Sequence, residues 1–222
     1  MAAVAAAVLQ FPTRKAPPRR HRADRTFLTR EELGRLMAAA QKHSPRTHAM
    51  VLLGFRHGLR VSEICRLRIV DDPEQKDSFF EVGSGTLVIR RLKGSEKTTH
   101  TLMASTNPLF DEPAAIAAYV SVRKADKAGD FLFASREGGA LDPSQFFRIF
   151  QEICADAGIS KDKAFPHVLK HSRVSLLVKN GCELGHAKVF VGHRSISSTM
   201  VYTQLNDAEA TDAAAAIDAE LF

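Results

Sequence analysis

The sequence contains no tryptophan, two tyrosines (Tyr119 and Tyr202) and three cysteines in 222 residues, and each scarcity narrows what the chain can be. Cys65, Cys154 and Cys182 are scattered, odd in number and in no metal-ligand spacing. They make neither a disulfide framework nor a zinc site, and they fit a reducing compartment. No apolar run approaches the length of a membrane span. The opening M-A-A-V-A-A-A-V-L-Q-F-P is mildly apolar but has no basic residue before it, so no secretory signal is expected. A cytoplasmic protein is the default. No internal repeat is present.

What the chain does have is an ordinary globular balance, 45% apolar and 25% charged residues, in a length that holds one sizeable domain, or a domain with a small appendage. Its net charge of +6 is unevenly spread. Residues 1–25 carry Arg14, Lys15, Arg19, Arg20, Arg22 and Arg25 against Asp24, and residues 206–222 carry Asp207, Glu209, Asp212, Asp218 and Glu220 with no Lys or Arg. Arm and tail therefore cancel, and the body between them keeps the whole positive excess. Such a body suggests a polyanionic partner, and the acidic tail suggests docking against a basic surface.

The Pro- and Arg-rich stretch 13–25 reads as an extended or disordered arm. Order is expected from F-L-T-R-E-E-L-G-R-L-M, where Thr29 and Glu32 form a capping box ahead of an amphipathic helix. A second helix fits 48–58 and a third starts near Ser62. The period then changes. Residues 79–103 are rich in β-formers, with turn signals at Gly83-Ser84-Gly85 and Gly94-Ser95, and predict two or three short antiparallel strands. Helical patterns return at 112–127, 143–157, 167–180, 183–191 and 197–203, with a last Ala-rich helix at 207–221. The chain is mainly α (α+β), with a small antiparallel sheet inserted after the third helix.

Four stretches can carry chemistry. In G-L-R-V-S-E, Arg60 sits between a helix-breaking glycine and a helix-capping serine, with Glu63 placed to orient it. A guanidinium fixed at a helix end is a fork of donors suited to phosphate, although an exposed surface arginine satisfies the same local pattern. In F-P-H-V-L-K-H-S-R, His167, Lys170 and His171 fall at i, i+3 and i+4, so one helix face carries all three and solvent or an anion should cover them. Lys93 precedes Gly94 at an expected hairpin tip, a weak signal by itself. In V-G-H-R-S-I-S-S-T-M-V-Y, His193 stands nine residues before Tyr202. A phenol ionises near pKa 10, so as a nucleophile it needs cations and a base beside it; a half-buried structural tyrosine is the other reading.

Taken in order, these motifs over residues 26–205 resemble the catalytic domain of the tyrosine recombinases, the phage-integrase family, in a short form similar to the fimbrial-switch invertases. G-L-R-V-S-E is similar to that family's first-arginine motif and R-L-K-G-S-E-K to its β-hairpin lysine motif. H-V-L-K-H-S is similar to its H-x-L-R-H-[ST] motif, and the V-G-H stretch to its L-G-H-x5-T-x2-Y ending. The resemblance implies a helical bundle with an inserted sheet. It implies that Tyr202 forms a 3′-phosphotyrosyl bond, that Arg60 and Lys170 hold the non-bridging oxygens and that Lys93 protonates the leaving 5′-oxygen. His167 would assist proton transfer, His193 would hydrogen-bond the phosphate, and Glu63 would brace Arg60. Arg14, Lys15, Arg19, Arg20, Arg22, His171 and Arg173 are the expected DNA contacts. His186, the histidine of the other Gly-His pair, is expected on the surface.

Neither metal nor other cofactor is implied, because a phosphodiester exchanged for a phosphotyrosine conserves bond energy; no P-loop or carboxylate cluster is present. The implied partners are double-stranded DNA with paired sites, further copies of the chain as dimer or tetramer on DNA, and DNA-bending accessory proteins, in a cytoplasmic, nucleoid-associated setting. The sequence departs from the family pattern in two respects. Lys170 stands where the family has its second arginine, which keeps the charge but loses the bidentate fork, and Arg173 one turn on is a candidate substitute. About 25 residues precede the first expected helix, so the basic arm 1–25 would partly replace a separate DNA-binding domain, and the tail 206–222 would dock on a protomer. These departures keep two other functions in view, a non-catalytic DNA-binding protein on a decayed scaffold and a type IB topoisomerase-like relaxing enzyme.

Overall fold

A computed structural model describes residues 27–71, 77–90, 97–123 and 129–193, together with 195 and 199. Seven α-helices and one three-stranded sheet are assigned among the described residues. The helices are α1 (Arg30–His43), α2 (Pro45–Arg56), α3 (Val61–Cys65), α4 (Glu112–Val122), α5 (Pro143–Asp156), α6 (His167–Lys179) and α7 (Leu184–Phe190). The strands β1 (Phe79–Glu81), β2 (Thr86–Ile89) and β3 (Thr98–Thr101) follow α3 and pair antiparallel in the order β1-β2-β3. The mainly helical architecture with a sheet inserted after the third helix is the one read from the sequence. The expected arm 1–25 and the helices at 197–203 and 207–221 lie outside the described residues, apart from Thr199.

Boundaries moved for local reasons. α1 begins where expected, because both halves of the capping box form: Thr29 Oγ1 accepts from the Glu32 N–H at 3.1 Å, and Glu32 Oε2 accepts from the Thr29 N–H at 2.7 Å. α2 starts three residues before the apolar run, since Ser44 caps the Thr47 N–H and Pro45 supplies a first-turn φ. α4 ends at Val122, short of the expected 127.

The core forms around α2, whose residues Thr47–Phe55 are all buried. A helix enclosed on every side needs neighbours on every side, and α2 packs against α1, α4 and α6. Two long-range polar ties fix where the chain enters. The Leu28 N–H donates to Ser172 Oγ on α6 at 2.8 Å, and Lys163 Nζ lies 2.8 Å from both oxygens of Glu32. The start of α1 is thereby locked to the loop and helix that carry the second cationic motif.

Burial works against ionisation of Glu32, but its bonds to Lys163 and to the Thr29 N–H, with the charges of Lys163 and Arg35, hold its pKa below the ordinary value. A carboxyl depressed in the folded state adds stability that is fully present above its unfolded pKa and disappears as pH falls through the folded value. Glu32→Gln should therefore flatten the acid limb of a melting-temperature profile and change little near neutrality. Thr29→Ala should lower stability by about 1 kcal/mol, a drop of roughly 2–4 °C in melting temperature for a chain of this size.

Candidate phosphate-binding site

Among the described residues four helices, α2, α5, α6 and α7, end in the same way, and the ends of α2 and α7 each deliver one candidate site side chain. At the end of α2, Gly58 has φ +58°, its N–H bonds the Phe55 carbonyl at 3.4 Å, and the Leu59 N–H bonds the Gly54 carbonyl at 3.1 Å. At the end of α7, Gly192 has φ +62°, its N–H bonds the Val189 carbonyl at 3.0 Å, and the His193 N–H bonds the Lys188 carbonyl at 2.9 Å. Both are Schellman closures with glycine in the left-handed position, where a side chain would be strained. This explains why G-L-R and G-H are spelled as they are. The glycine ends the helix and aims the residues that follow.

After the first closure Arg60 caps α3 in an extended conformation. Glu63 grips it twice: Oε2 accepts the Arg60 N–H at 2.7 Å and Oε1 pairs with Nη1 at 2.9 Å. The Glu63 side chain is 1% exposed and that of Arg60 31%, so a buried carboxylate braces a guanidinium that still reaches solvent. After the second closure, His193 Nδ1 lies 3.0 Å from Oγ1 of the buried Thr199. That contact fixes the ring from the downstream side.

Lys170 joins the two. It is 1% exposed, and its Nζ donates to the carbonyl of Val191 at 2.5 Å, immediately before Gly192. A methyl group built on Gly58 would lie 3.1 Å from Val191 Cγ1 and 3.7 Å from Lys170 Cγ. The Arg60 turn, the Lys170 stem and the His193 turn therefore meet at Val191, although the sequence separates them widely.

The remaining expected residues divide. His167 is exposed at the first position of α6, with its ring perpendicular to that of His171 at 4.5 Å. The expectation that solvent or an anion would cover all three groups of this face needs correction at Lys170, where protein covers the side chain, because i+3 turns it toward α7. Arg173, an expected DNA contact, is half-buried and leans on protein groups. Its guanidinium lies over the rings of Phe55 (5.8 Å) and Phe190 (5.4 Å), and Nη2 is 3.7 Å from Met103 Sδ. Burial and the nearby Arg56 lower its pKa despite Glu112, the mark of a guanidinium turned inward. His186 is on the surface as expected, 3.3 Å from Glu183. Lys93, Tyr202 and the arm residues Arg14, Lys15, Arg19, Arg20 and Arg22 lie outside the described residues.

Other nucleophiles are poorly placed. Burial pushes the thiols of Cys65 and Cys154 up to about 12, which makes them inert near neutral pH. Tyr119 is buried, donates to the Leu132 carbonyl at 2.8 Å and has its pKa raised by burial against the pull of Arg46 and Arg123. Sequence reasoning missed three buried polar residues beside the site, His57, His100 and Glu112. Their signal was present, a histidine or glutamate inside otherwise buried segments, but one residue of that kind points nowhere until its partners are known.

Gly58→Ala should cost about 1–2 kcal/mol from the left-handed backbone alone, with added crowding at Val191. A melting curve of the full chain is expected to show the loss.

The phage integrase family model matches residues 26–209 of this chain. Type 1 fimbriae regulatory protein FimB of Escherichia coli (strain K12) is 34% identical over 186 residues, which is 82% of this chain and 86% of FimB. The crystal structure of XerA recombinase matches with a TM-score of 0.66 at 28% identity, over 84% of this chain and 63% of that one. The fold is also that of XerH site-specific recombinase in its pre-cleavage complex with difH substrate, with a TM-score of 0.65 at 23% identity over 85% of this chain and 53% of XerH. This chain thus spans less than two thirds of either solved recombinase. A match over most of its length, a bundle with the inserted sheet and the Arg60–Lys170–His193 convergence place the chain in the phage integrase family, the tyrosine recombinases.

Proposed function

We propose that the chain is a site-specific DNA recombinase that cuts and rejoins DNA through a 3′-phosphotyrosyl intermediate on Tyr202. The observation that carries this reading is the meeting of three cationic or imidazole motifs at Val191, with Arg60 braced by Glu63 and still open to solvent. In the step, Tyr202 Oη bonds to the scissile phosphorus as the bond to the 5′-oxygen breaks, and the departing oxygen takes a proton from Lys93. His167 accepts the phenolic proton that Tyr202 loses as its bond to phosphorus forms. Arg60, Lys170 and His193 hold the charge that develops on the non-bridging oxygens, a preorganised electrostatic role. Rejoining reverses the step with a 5′-hydroxyl as the attacking group. Tyr119 cannot take the nucleophile's part, since its hydroxyl is buried and committed to Leu132.

The finer elements of the reading share this basis. The six basic residues of 1–25 contact phosphates without reading sequence, residues 26–205 form the catalytic domain, and the acidic 206–222 docks on a protomer. Two copies bind each duplex site and four form the recombining complex, with DNA-bending proteins as helpers, in the cytoplasm at the nucleoid. Among the described residues, no helix is long and apolar enough to cross a membrane. One observation favours the decayed-scaffold reading: the Lys170 ammonium is spent in part on a protein carbonyl.

A pool of nicked duplexes with randomised sequence separates the two. The full chain should form a denaturant-stable adduct that sequencing resolves to a preferred site. Tyr202→Phe should abolish that adduct; an adduct that persists, or salt-sensitive binding with none, overturns the assignment. Lys170→Ala should slow adduct formation by about 10²–10³-fold, the usual effect of removing one oxyanion donor.

A further inference from the structure

Behind Arg60 and His193 runs a buried polar chain for which the cleavage step has no use. His57 caps the end of α2, three residues before Arg60, and its side chain is fully buried. Its Nδ1 lies 2.9 Å from Nδ1 of His100 on β3, and its Nε2 lies 3.0 Å from Oε1 of the equally buried Glu112, the first residue of α4. Glu112 Oε2 accepts the Met103 N–H at 2.6 Å. On the other side, the His100 ring lies flat on Phe190, with centroids 4.4 Å apart and planes 9° from parallel. Phe190 ends α7, and the next residues are Val191, which receives Lys170, then Gly192 and His193.

Two ring nitrogens come within 2.9 Å only when one carries a proton and the other does not. The Glu112 carboxylate favours a proton on His57 Nε2, although it lies off the N–H direction, so the contact is electrostatic rather than an aligned hydrogen bond. In the His57–His100 bond, Nδ1–H of one ring donates to the bare Nδ1 of the other. Among the described residues, Arg173 lies over Phe190 and feels the charges of both Arg56 and Glu112. An apolar core would hold these elements together without the desolvation cost of buried polar groups. A directional bond adds something else: it admits only one relative placement of the α2 end, β3 and the α7 end.

We propose that the His57–His100 hydrogen bond, with its stack on Phe190, is a positioning link that sets the placement of Arg60 relative to His193 for DNA cleavage. The inference rests on the recombinase reading, and neither histidine touches the reacting atoms.

Ring-nitrogen NMR of the full-length protein labelled with 15N-histidine tests the link without DNA. The expected signature is a protonated Nδ1 coupled across the hydrogen bond to a bare Nδ1 of a second ring, lost in His100→Phe. Two rings that titrate independently with no such coupling overturn the link. His100→Phe keeps an aromatic ring, slightly larger, against Phe190 and removes both ring nitrogens. On the duplex recovered from the randomised pool, its single-turnover adduct formation should fall about tenfold or more, since misplacements of an ångström cost up to about a hundredfold. Duplex affinity should stay close to that of the unchanged protein, and the melting temperature should fall by no more than the few degrees expected for one unpaired buried nitrogen. An unchanged rate, or a loss matched by affinity or by unfolding, overturns the positioning role. A persisting adduct in Tyr202→Phe would instead mark failure of the recombinase reading, while the NMR coupling still decides whether the link exists.

Discussion

The bond from the Lys170 ammonium to the Val191 carbonyl is the contact on which the arrangement of the site depends. It places a buried cation at the hinge between α7 and the Gly192–His193 turn, and it does so directly beneath Gly58. A buried ammonium carries a large desolvation cost unless polar atoms surround it. The end of a helix supplies such atoms, because its last carbonyls lack intrahelical partners. The cation and the orphan carbonyl therefore satisfy one another, and α6 and α7 cannot separate without exposing both groups.

The enclosure of α2 makes that contact possible. Because α2 is buried on all sides, its C-terminal turn is carried deep into the molecule, where a Cβ on Gly58 would crowd Val191 and strain the left-handed backbone. The same turn then brings Arg60 outward to the surface within two residues, with Glu63 fixing its direction. A rigid interior and a solvent-facing guanidinium are thus two ends of one short segment. A preorganised charge for a phosphate requires that combination, since a guanidinium on a mobile loop loses orientation with every rotamer it explores.

Legibility in the sequence followed the range of the interaction. The capping box at Thr29 and Glu32, the turn at Gly83–Gly85 and the order of helices and strands were all readable, because each depends on residues within a few positions of one another. The bracing of Arg60 by Glu63 was readable for the same reason. The direction of Lys170 and Arg173 was not. Helical spacing placed both on the same helix as His167, but which flank faces water depends on α7 and on Phe55 and Phe190, far away in the chain. The cluster of His57, His100 and Glu112 was invisible for that reason too, since its members come from a helix end, a strand and a helix start.

By itself the sequence determined which residue types stand at which helix ends: the left-handed glycines before Arg60 and His193, the capping glutamates and the two scarce tyrosines with unlike neighbours. These are local matters of backbone sterics and hydrogen bonding within one turn. Tertiary structure alone decided that the glycine turns abut at Val191, that Lys170 is covered by protein and that Arg173 is turned inward. Burial is a property of packed surfaces rather than of spacing. Only when α2, α6 and α7 closed on each other did a row of separate cationic motifs become one site.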